Sequence, residues 1–431
     1  MSTTRPDFVD DLQWRGLFYQ ASDEAGLRAH LASGTRRAYA GFDPTADSLT
    51  IGNLVPIMIL RRFQEAGHTP VVVMGGGTGL IGDPSGKEKE RDLRSLEEVE
   101  GNVRAQRRIF ENILDFEGPN AATIVNNHEW LGDLKFIDVL RDVGKHFSVN
   151  QMIQKESVRE RLHNREQGIS FTEFCYVILQ AYDFLWLHRH QGVTIQLGGS
   201  DQWGNMVSGL DLIRRLEPEG HNEGWVITNP LVTKADGGKF GKTESGAVWL
   251  SAERTSPYAF FQFWLNTADA DVIGFLRFFT LMSKERVDEL AAIHEAEPHR
   301  REAQRELARA ATALVHGAEA AANAEAAGAA LFSGEIARLD RATLEEVFAE
   351  VPSSTHDKSA LGSGIGLVDF LVETSLARSK RESREFLANG AVTVNERKVG
   401  PDDTITSTDL LHGDLTLIRR GKKSWHVCRW G

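Results

Sequence analysis

Between residues 36 and 250 the sequence alternates short apolar runs with longer amphipathic segments, and this alternation constrains the fold more than any other feature. The apolar runs have strand character and end in turn-forming residues: RRAYAGF (36–42), TPVVVMGG (69–76), AATIVNN (121–127), GVTIQLGG (192–199) and GWVITNPLVT (224–233). Segments with helical spacing lie between them: LVPIMILRRFQEAG, SLEEVEGNVRAQRRIFENIL and FTEFCYVILQAYDFLWLH. Strand–helix alternation predicts an α/β fold with a parallel sheet covered by helices. Ligands of such folds bind at the carboxyl ends of the strands.

The character of the chain changes after residue 250. Residues 251–350 are rich in Ala, Glu and Arg, which favour helices, and they contain no strand pattern. Residues 351–365 are rich in Ser and Gly, and this composition predicts a linker. Residues 366–431 combine two helical segments with short strands. We therefore predict four parts: an α/β domain (1–250), a helical domain (251–350), a linker (351–365) and a small α+β domain (366–431).

Charge is distributed unevenly along the chain of 431 residues, which has a formal net charge of −12. The segment Gly366–Gly431 contains 11 basic and 9 acidic residues, a net charge of +2, whereas the remainder has 38 basic and 52 acidic residues, a net charge of −14. The acidic body argues against a protein that coats nucleic acid uniformly, and any polyanion is expected at the C-terminal part. The counts alone fit a solvated charged surface equally well.

The cysteine content and the lengths of the apolar runs indicate the cellular compartment. Cys175 and Cys428 lie far apart and provide neither a disulfide framework nor the spacing of a zinc site, which favours a reducing compartment. The first residues include acids and no apolar core, so we expect no secretory signal. No apolar run approaches the ~20 residues of a membrane span. We predict a cytoplasmic protein that does not contact membranes.

The run GGGTGLIGDPSGK, from Gly75 to Lys87, follows an apolar strand and has the composition of a phosphate-binding loop. Its segment GTGLIG matches the dinucleotide pattern G-x-G-x-x-G. That pattern requires a helix to begin within the glycine run, whereas the turn sequence DPSG follows here. A P-loop is also excluded, because Lys87 is followed by Glu88 instead of Ser or Thr. The sequence thus predicts a ligand-binding turn of another kind.

Two other segments have features of phosphate contacts. Lys239 and Lys242 lie in the loop KFGKT, which follows a flexible Asp-Gly-Gly turn, and two such lysines can close over a polyphosphate. The segment from Ser48 to Asn53 brings small polar groups to the start of a helix, which favours an anion. Each segment has a structural alternative, an exposed basic turn in the first case and an ordinary capped turn in the second.

The helical segment that starts at Phe171 carries a polar face within apolar surroundings. Tyr176, Gln180 and Asp183 recur at positions i, i+4 and i+7 and therefore share one face. Buried polar groups must find partners. The pattern indicates either an internally satisfied polar cluster or a pocket for a small polar ligand.

Seven motifs, in this order along the chain, are similar to those of the bacterial tyrosyl-tRNA synthetases, a family of class I aminoacyl-tRNA synthetases. They are YAGFDPTADSLTIGN, GLIGDPSGK, KHFSVN, ISFTEF, QAYDF, GGSDQWGN and KFGKTESG. TIGN stands at the position of the family's HIGH motif, and KFGKT stands at the position of its KMSKS motif. The resemblance covers essentially the whole chain. It implies a Rossmann-like catalytic domain, a helical anticodon-arm domain and a C-terminal RNA-binding domain.

The resemblance implies activation of L-tyrosine by ATP, with Mg²⁺ bound to the ATP, followed by transfer of tyrosine to tRNA(Tyr). The tyrosine site would comprise Tyr39, Asp83, Tyr176, Gln180, Asp183 and Gln202. ATP would be bound by Gly41, Asp43, Gly52, Gly199, Asp201, Val232 and Lys242. Groups that act on the phosphates would be Thr45, Thr50, Asn53, Lys87, Arg91, Lys239, Lys242 and Thr243. No metal ion held by the protein alone is implied.

The resemblance also implies macromolecular partners. The C-terminal domain would contact RNA phosphates through Arg378, Lys380, Arg381, Arg384, Arg419, Arg420, Lys422 and Lys423. The chain would form a homodimer with Phe171 in the interface.

Two positions depart from the family pattern. Thr50 replaces the first histidine of HIGH, and Asn53, a familiar variant, replaces the second. In addition, Ala40 replaces a frequent cysteine. A threonine donates a neutral hydrogen bond, so we expect at most about a tenfold loss in the rate of adenylate formation. Two other classes of protein share parts of this pattern: a tryptophanyl enzyme, which lacks this RNA-binding tail, and a non-catalytic RNA-binding paralogue. The complete lysine loop and tyrosine pocket favour the tyrosyl enzyme.

Overall fold

The computed structural model describes residues 7–83, 94–155, 158–159, 162, 168–238, 240–243, 246–333, 336, 339–349, 351–421 and 424–431. For residues 242–243 and 331–333 it describes the backbone alone. The chain forms two compact units. The first contains the residues up to Thr255 together with Trp264–His316, and the second contains Ser256–Phe263 together with Gly317–Gly431.

A six-stranded sheet forms the centre of the first unit. Its strands are β1 (Gln20–Ala21), β2 (Arg37–Phe42), β3 (Thr69–Met74), β4 (Thr123–Asn126), β5 (Val193–Gly199) and β6 (Trp225–Asn229), in the spatial order β1-β6-β5-β2-β3-β4. Strands β2 to β6 are parallel to their neighbours, and β1 pairs antiparallel with β6 at the edge. The prediction of an α/β fold with a parallel sheet is confirmed. Strand β1 was not predicted, because two residues are too few to show an alternating pattern.

Helices separate the strands in the order that the sequence predicts. They are α1 (Phe8–Arg15), α2 (Glu24–Ala32), α3 (Leu54–Glu65), α4 (Leu96–Ile113), α5 (His128–Leu131), α6 (Phe136–Asp138), α7 (Val149–Ile153), α8 (Phe171–Gln191) and α9 (Trp203–Leu216). Short 3₁₀ or π turns occupy Ile51–Asn53, Thr78–Leu80, Val139–Val143, Gly144–His146 and Ser200–Gln202. A hairpin of β7 (Lys242–Thr243) and β8 (Gly246–Ala247) follows, and the helices after it are α10 (Pro257–Leu265), α11 (Val272–Phe279), α12 (Lys284–Ala296) and α13 (Glu302–His316).

Helix α8 shows why the local sequence folds as it does. The hydroxyl of Ser170 caps its first turn by accepting from the amide of Glu173, and Gly192 ends it in a left-handed conformation. The apolar face of α8 packs Phe184 and Leu187 into a core that includes Val71, Val73 and the ring of Tyr39. The polar face of the same helix is therefore left at the end of the sheet.

The order of the strands creates a cleft beside β2. From β2 the chain continues to β3 on one side and later returns to β5 on the other, so the connections leave the two neighbouring strands in opposite directions. Such a switch point leaves a crevice outside the carboxyl ends of the strands. Tyr39 of β2 lies beside Gln196 of the neighbouring strand β5 in the sheet register, and it precedes Gly41 by two residues. The fold thus places the motif YAGFD at the crevice.

The second unit has its own sheet and helices. Helices α14 (Ala318–Ser333), α15 (Arg341–Val347), α16 (Leu367–Glu373) and α17 (Lys380–Ala388) accompany β9 (Ser353–His356), β10 (Ile365–Gly366), β11 (Val392–Val394), β12 (Arg397–Lys398), β13 (Thr404–Ile405), β14 (Leu415–Arg420) and β15 (Ser424–Trp430). Five strands form a sheet in the order β12-β11-β14-β15-β9. Phe370, Leu387, Val392, Ile418 and Trp430 contribute to its core.

The structure divides the chain differently from the four predicted parts. Residues 264–316 group with the α/β unit, and residues 317–349 group with the C-terminal unit. The predicted linker contains β9, which pairs in parallel with β15 along Val427–Trp430. Its Ser and Thr side chains suit a half-exposed edge strand, which composition alone does not distinguish from a linker. The predicted boundaries themselves stay predictions.

Candidate active site

The carboxyl ends of β2 and β5 open into a cavity of about 440 Å³. Its walls include the β2 segment Tyr39–Phe42 and the β5 segment 196–199. Of the residues predicted for the site, those that line it are Tyr39, Gly41, Asp43, Thr45, Thr50, Asn53, Asp83, Tyr176, Gln180, Asp183, Gly199 and Gln202. Residues from four of the seven sequence motifs, together with Tyr176, therefore meet around one space.

Other predicted residues lie outside this lining. Gly52 belongs to the turn beside Thr50, Asp201 accepts a hydrogen bond of 3.2 Å from Gln202, and Val232 is half-buried in the segment after β6. Lys87, Arg91 and Lys239 lie outside the described residues. Lys242 and Thr243 form β7, but the structure describes only their backbone. The predicted roles of all these residues stay predictions.

A buried carboxylate, Asp183, lies at the floor of the cavity. Its Oδ1 accepts a hydrogen bond of 2.7 Å from the indole Nε1 of Trp130, and its Oδ2 accepts one of 2.9 Å from the amide of Asn127. Burial raises the pKa of Asp183 to about 7, although the two donors oppose this rise by stabilising the charged form. The ring of Trp130 stacks on Trp186 at 4.1 Å with an angle of 10° between the ring planes. The carboxylate is thus held in a fixed orientation.

Three polar atoms of the lining residues are buried and have no hydrogen-bond partner within the described part of the chain. They are the hydroxyl of Tyr39, Oε1 of Gln180 and Oε1 of Gln196. Burial and the nearby Asp183 raise the pKa of the Tyr39 phenol well above its ordinary value, so this hydroxyl stays protonated. Buried polar groups are rarely left unpaired in proteins, and three at one cavity indicate a polar ligand that completes them.

A second carboxylate, Asp43, lies higher in the cavity beside the first turn after β2. Its Oδ1 accepts from the Thr78 hydroxyl at 2.7 Å, and its Oδ2 accepts from the Tyr176 hydroxyl at 3.0 Å. Burial and neighbouring carboxylates raise the pKa of Tyr176, which keeps the phenol in its donating form. Nearby, Gln202 donates to Asp83 at 2.9 Å. The upper cavity thus holds carboxylates fixed by neutral donors.

The glycine run after β3 does not present its amides to a ligand. The amides of Gly75 and Gly79 donate to main-chain carbonyls at 2.8 and 2.7 Å, and the amide of Gly77 donates to Asn127 Oδ1 at 2.7 Å. A side chain on Gly75 would collide with Asp43 and Thr78. These glycines allow the backbone to pack against the Asp43 cluster. The exclusion of a dinucleotide loop and of a P-loop agrees with this geometry.

The TIGN turn and the KFGKT loop are in contact. The amide of Ile51 donates to the carbonyl of Val248 at 2.9 Å, and the amide of Val248 donates to the carbonyl of Gly241 at 3.1 Å. Gly241 has φ +79°, and a Cβ at this position would lie 2.5 Å from the side chain of Ile51. Both Thr50 N and Thr50 Oγ1 donate to Asn53 Oδ1, at 3.1 and 3.0 Å. The two predicted phosphate-binding segments therefore form one assembly.

Several residues at the cavity were not predicted: Trp130, Asn127, Thr78 and Gln196. Asn127 directly follows a strand, so the rule that sites lie at strand ends could have indicated it. Gln196 is a polar residue within a predicted buried strand, which is also a usable signal. Trp130 lies in a short helix without a motif, and its contact with Asp183 depends on the tertiary fold.

The predicted RNA-contacting residues in the second unit have different environments. Arg378, Lys380, Arg381 and Arg384 are exposed at the start of α17, and Lys380 pairs with Asp369 at 2.8 Å. Arg420 is engaged within the unit, because it donates to the carbonyl of Leu376 at 2.7 Å and its guanidinium lies over the ring of Phe386. Arg419 lies over the ring of Trp425 at 4.9 Å. Lys422 and Lys423 lie outside the described residues.

The described residues contain neither a membrane-spanning helix nor a metal-binding cluster. None of their helices is both long and apolar enough to cross a membrane. No group of three or more His, Cys, Asp or Glu side chains within them is arranged to hold a metal ion.

Family comparisons agree with the geometry. The family model of tRNA synthetases class I (W and Y) matches residues 32–333, and the model of the tyrosine–tRNA ligase SYY-like C-terminal domain matches residues 343–428. The tyrosine–tRNA ligase of Bacillus caldotenax is 51% identical over 98% of this chain and 100% of its own length. That of Staphylococcus carnosus is 48% identical over 98% of this chain and 99% of its own length.

Solved structures show the same fold. The truncated mitochondrial tyrosyl-tRNA synthetase of Aspergillus nidulans superposes with a TM-score of 0.68 and 27% identity, covering 77% of this chain and 95% of that one. The tryptophanyl-tRNA synthetase of Encephalitozoon cuniculi has a TM-score of 0.54 and 13% identity over 78% of this chain and 90% of that one, a likeness of fold alone. The chain belongs to the tyrosine–tRNA ligase family of the class I tRNA synthetases.

Proposed function

We propose that this protein activates L-tyrosine with ATP in the cavity at β2 and β5 and then transfers the tyrosyl group to the 3′ end of tRNA(Tyr). The family and its full-length relatives support the reaction. Tyrosine as the substrate is supported by the floor of the cavity, where the unpartnered hydroxyl of Tyr39 lies near the buried carboxylate of Asp183. A phenol is the side chain that can both donate to the carboxylate and accept from the hydroxyl.

Discrimination against phenylalanine follows from the same two groups. Phenylalanine would leave the Tyr39 hydroxyl without a partner and would bring no donor to Asp183 in a closed site. Each unsatisfied buried group costs about 1–3 kcal/mol, and about 1.4 kcal/mol corresponds to a factor of ten in affinity. Because Trp130 and Asn127 hold both carboxylate oxygens, Asp183 cannot turn away to find another partner. Rejection therefore comes from a rigid acceptor.

The chemistry requires no general base. The tyrosine carboxylate is ionised at neutral pH, and one of its oxygens attacks the α-phosphorus of ATP. A carboxyl O–P bond forms, the bond from the α-phosphorus to the bridging oxygen breaks, and pyrophosphate leaves with the electron pair. The protein's contribution is to position the reactants and to stabilise phosphate charge. We assign this contribution to Thr45, Thr50, Asn53 and the KFGKT loop, and by resemblance to Lys87 and Arg91.

The geometry of the TIGN turn supports a particular donor. Because Asn53 Oδ1 already accepts from Thr50, the Nδ2 group of Asn53 is its remaining hydrogen-bonding group and can donate to a phosphate. Thr50 orients this amide as well as lining the cavity. This arrangement offers a reason why threonine serves at the position of the family's first HIGH histidine.

Magnesium would enter with ATP. Mg²⁺ is usually held by substrate phosphates and one or two carboxylates instead of a complete protein cage. The described residues fit this mode, because Asp43 lies at the cavity while no cluster of three ligating side chains is present among them. The ion neutralises charge on the phosphates when it is bound. The reducing cytoplasm stays a prediction from cysteine content.

We propose that the exposed basic residues at the start of α17 contact the tRNA. Arg381 and Arg384 are exposed, and no ion pair involves them in the described part of the chain. Arg420 is less suited, because its donors are engaged by Leu376 and Ser424.

We further propose a homodimer that uses the segment around α6 to α8. Of the eleven large apolar side chains exposed among the described residues, seven lie between residues 136 and 171. Phe136, Ile137 and Phe171 are 66%, 68% and 68% exposed. An apolar concentration of this kind on one segment is typical of an interaction surface. A second copy of the chain is the occupant that the family resemblance implies.

Pyrophosphate exchange tests the substrate. Among the amino acids, tyrosine alone is expected to support ATP–pyrophosphate exchange, while phenylalanine and tryptophan are expected to be at least about a hundredfold poorer in kcat/KM. Asp183→Asn should lose exchange with tyrosine, since it replaces the acceptor of the phenol. Equal exchange with tryptophan would refute the assignment, and exchange with no amino acid would favour a non-catalytic RNA-binding role.

Replacing both Arg381 and Arg384 with Ala tests the RNA face. We expect the affinity for tRNA(Tyr) to fall about tenfold at low salt. The slope of log K against log salt should become shallower by roughly 1.5, because binding without these two phosphate contacts releases fewer counterions. Tyrosine-dependent exchange without tRNA should not change. The matched control is Arg341→Ala, which removes a basic residue that is paired with Glu345 and Asp414. Unchanged affinity and slope in the double variant would contradict the proposal.

Phe171→Glu tests the dimer. Burying a charge in an apolar interface is costly, so the variant should sediment as a monomer at micromolar concentration while the unaltered protein sediments as a dimer. Tyr19→Glu is the control, since Tyr19 is 59% exposed and lies outside residues 136–171. A monomeric unaltered protein, or a Phe171→Glu variant that stays dimeric, would rule out this interface.

A further inference from the structure

Phe240, the apolar residue of the KFGKT loop, packs into a cluster of aromatic rings. Its ring stacks on Phe279 at a centroid distance of 5.1 Å with 11° between the planes, and it meets the edge of Phe275 at 5.1 Å. The indole of Trp264 lies 6.1 Å away. All three partner rings are at least 95% buried. The proposed function assigns roles to the lysines on either side of Phe240 but none to this ring.

Helix α11, which supplies two rings of this cluster, is held firmly at its C-terminal end. The last carbonyls of a helix lack partners within it. Arg62 donates to the carbonyl of Thr280 at 2.6 Å, and Arg15 donates to the carbonyls of Arg277 and Met282 at 3.1 and 2.9 Å. Arg62 belongs to α3, the helix that begins directly after the TIGN turn. The ring cluster is therefore connected through α11 and α3 to the other predicted phosphate-binding segment.

The same helix also fixes the chain just before the loop. The amide of Ala235 donates to the carboxylate of Asp271, the residue that precedes α11, at 2.8 Å. On the far side of Phe240, Gly241 packs against Ile51 and its carbonyl accepts from Val248. The loop is thus attached before, at and after Phe240. Phe240 and Gly241 both lie between the two lysine positions in the sequence, and the ring of Phe240 is the side chain that attaches this part of the loop.

We propose that Phe240 is a positioning residue for adenylate formation, which fixes the KFGKT loop against α11 so that Lys242 stays beside the TIGN turn. This inference rests on the proposed function. A glycine-rich loop that is free to move loses backbone entropy whenever it closes on ATP. A ring packed against a fixed helix reduces this loss before the substrate arrives. Preorganised donors stabilise transition-state charge without reorganisation at the moment of reaction.

Single-turnover adenylate formation with three variants tests the proposal. Phe240→Ala should slow the rate at saturating ATP by about ten- to a hundredfold, because small misplacements of a catalytic group are costly. Tyrosine affinity should stay within about twofold, since no tyrosine contact is lost, and Phe240→Met should recover most of the rate by refilling the space. Phe278→Ala is the control, because it removes another ring of the same helix, one that contacts Phe279 at a centroid distance of 6.1 Å. An unchanged rate in Phe240→Ala, or an equal loss in Phe278→Ala, would overturn the proposal.

A double-variant comparison separates positioning from a general structural effect. If Phe240 acts through the loop lysine, Phe240→Ala combined with Lys242→Ala should be no slower than Lys242→Ala alone, within about threefold. If the two losses multiply, Phe240 does not act through Lys242 and the proposal fails. Failure of the proposed function would be recognised separately, because the unaltered protein would then show no tyrosine-dependent pyrophosphate exchange.

Discussion

The proposed recognition of tyrosine depends on one buried carboxylate, Asp183, at the base of a cleft. Asp183 is removed from water, yet both of its oxygens are held by donors, the indole of Trp130 and the amide of Asn127. Burial alone would leave the carboxyl neutral, and the two donors shift the balance towards the charged form at neutral pH. The consequence is an acceptor of fixed direction, which can bind a phenol and cannot adapt to a benzene ring.

The sheet brings this carboxylate together with the phosphate-binding segments. Reversal of the strand order beside β2 opens the crevice, and the motifs that follow β2, β3 and β5 converge there. Helix α3 begins at the TIGN turn and ends near Arg62, which holds α11, and α11 holds the KFGKT loop through Phe240. The residues proposed to recognise the amino acid and to contact the phosphates are thus connected through packed helices, although they come from distant parts of the sequence.

Much of this arrangement could be predicted from the sequence, since it depends on local patterns. Alternating strands and helices predicted the parallel sheet, and the spacing of Tyr176, Gln180 and Asp183 predicted one polar face. Trp130 could not be predicted, because its hydrogen bond to Asp183 spans 53 residues and requires the finished core. The edge strand Ser353–His356 lies within the predicted linker, and its small polar residues carry little strand signal. Arg420 stays a predicted RNA contact, and two of its N–H groups donate within its own unit, to Leu376 and Ser424.

The pH dependence of tyrosine binding tests the role of Asp183 most directly. Burial raises the pKa of the free Asp183 carboxyl to about 7, and the charged form is the proposed acceptor of the phenol. Tyrosine affinity should therefore be constant above this pH and fall by up to about tenfold per pH unit below it. No histidine lines the cavity within the described residues, and Trp130→Phe should move the midpoint to higher pH by removing a donor to the charged form. An affinity that stays constant from about pH 5.5 to 8.5, or a midpoint that Trp130→Phe does not move, would contradict the account.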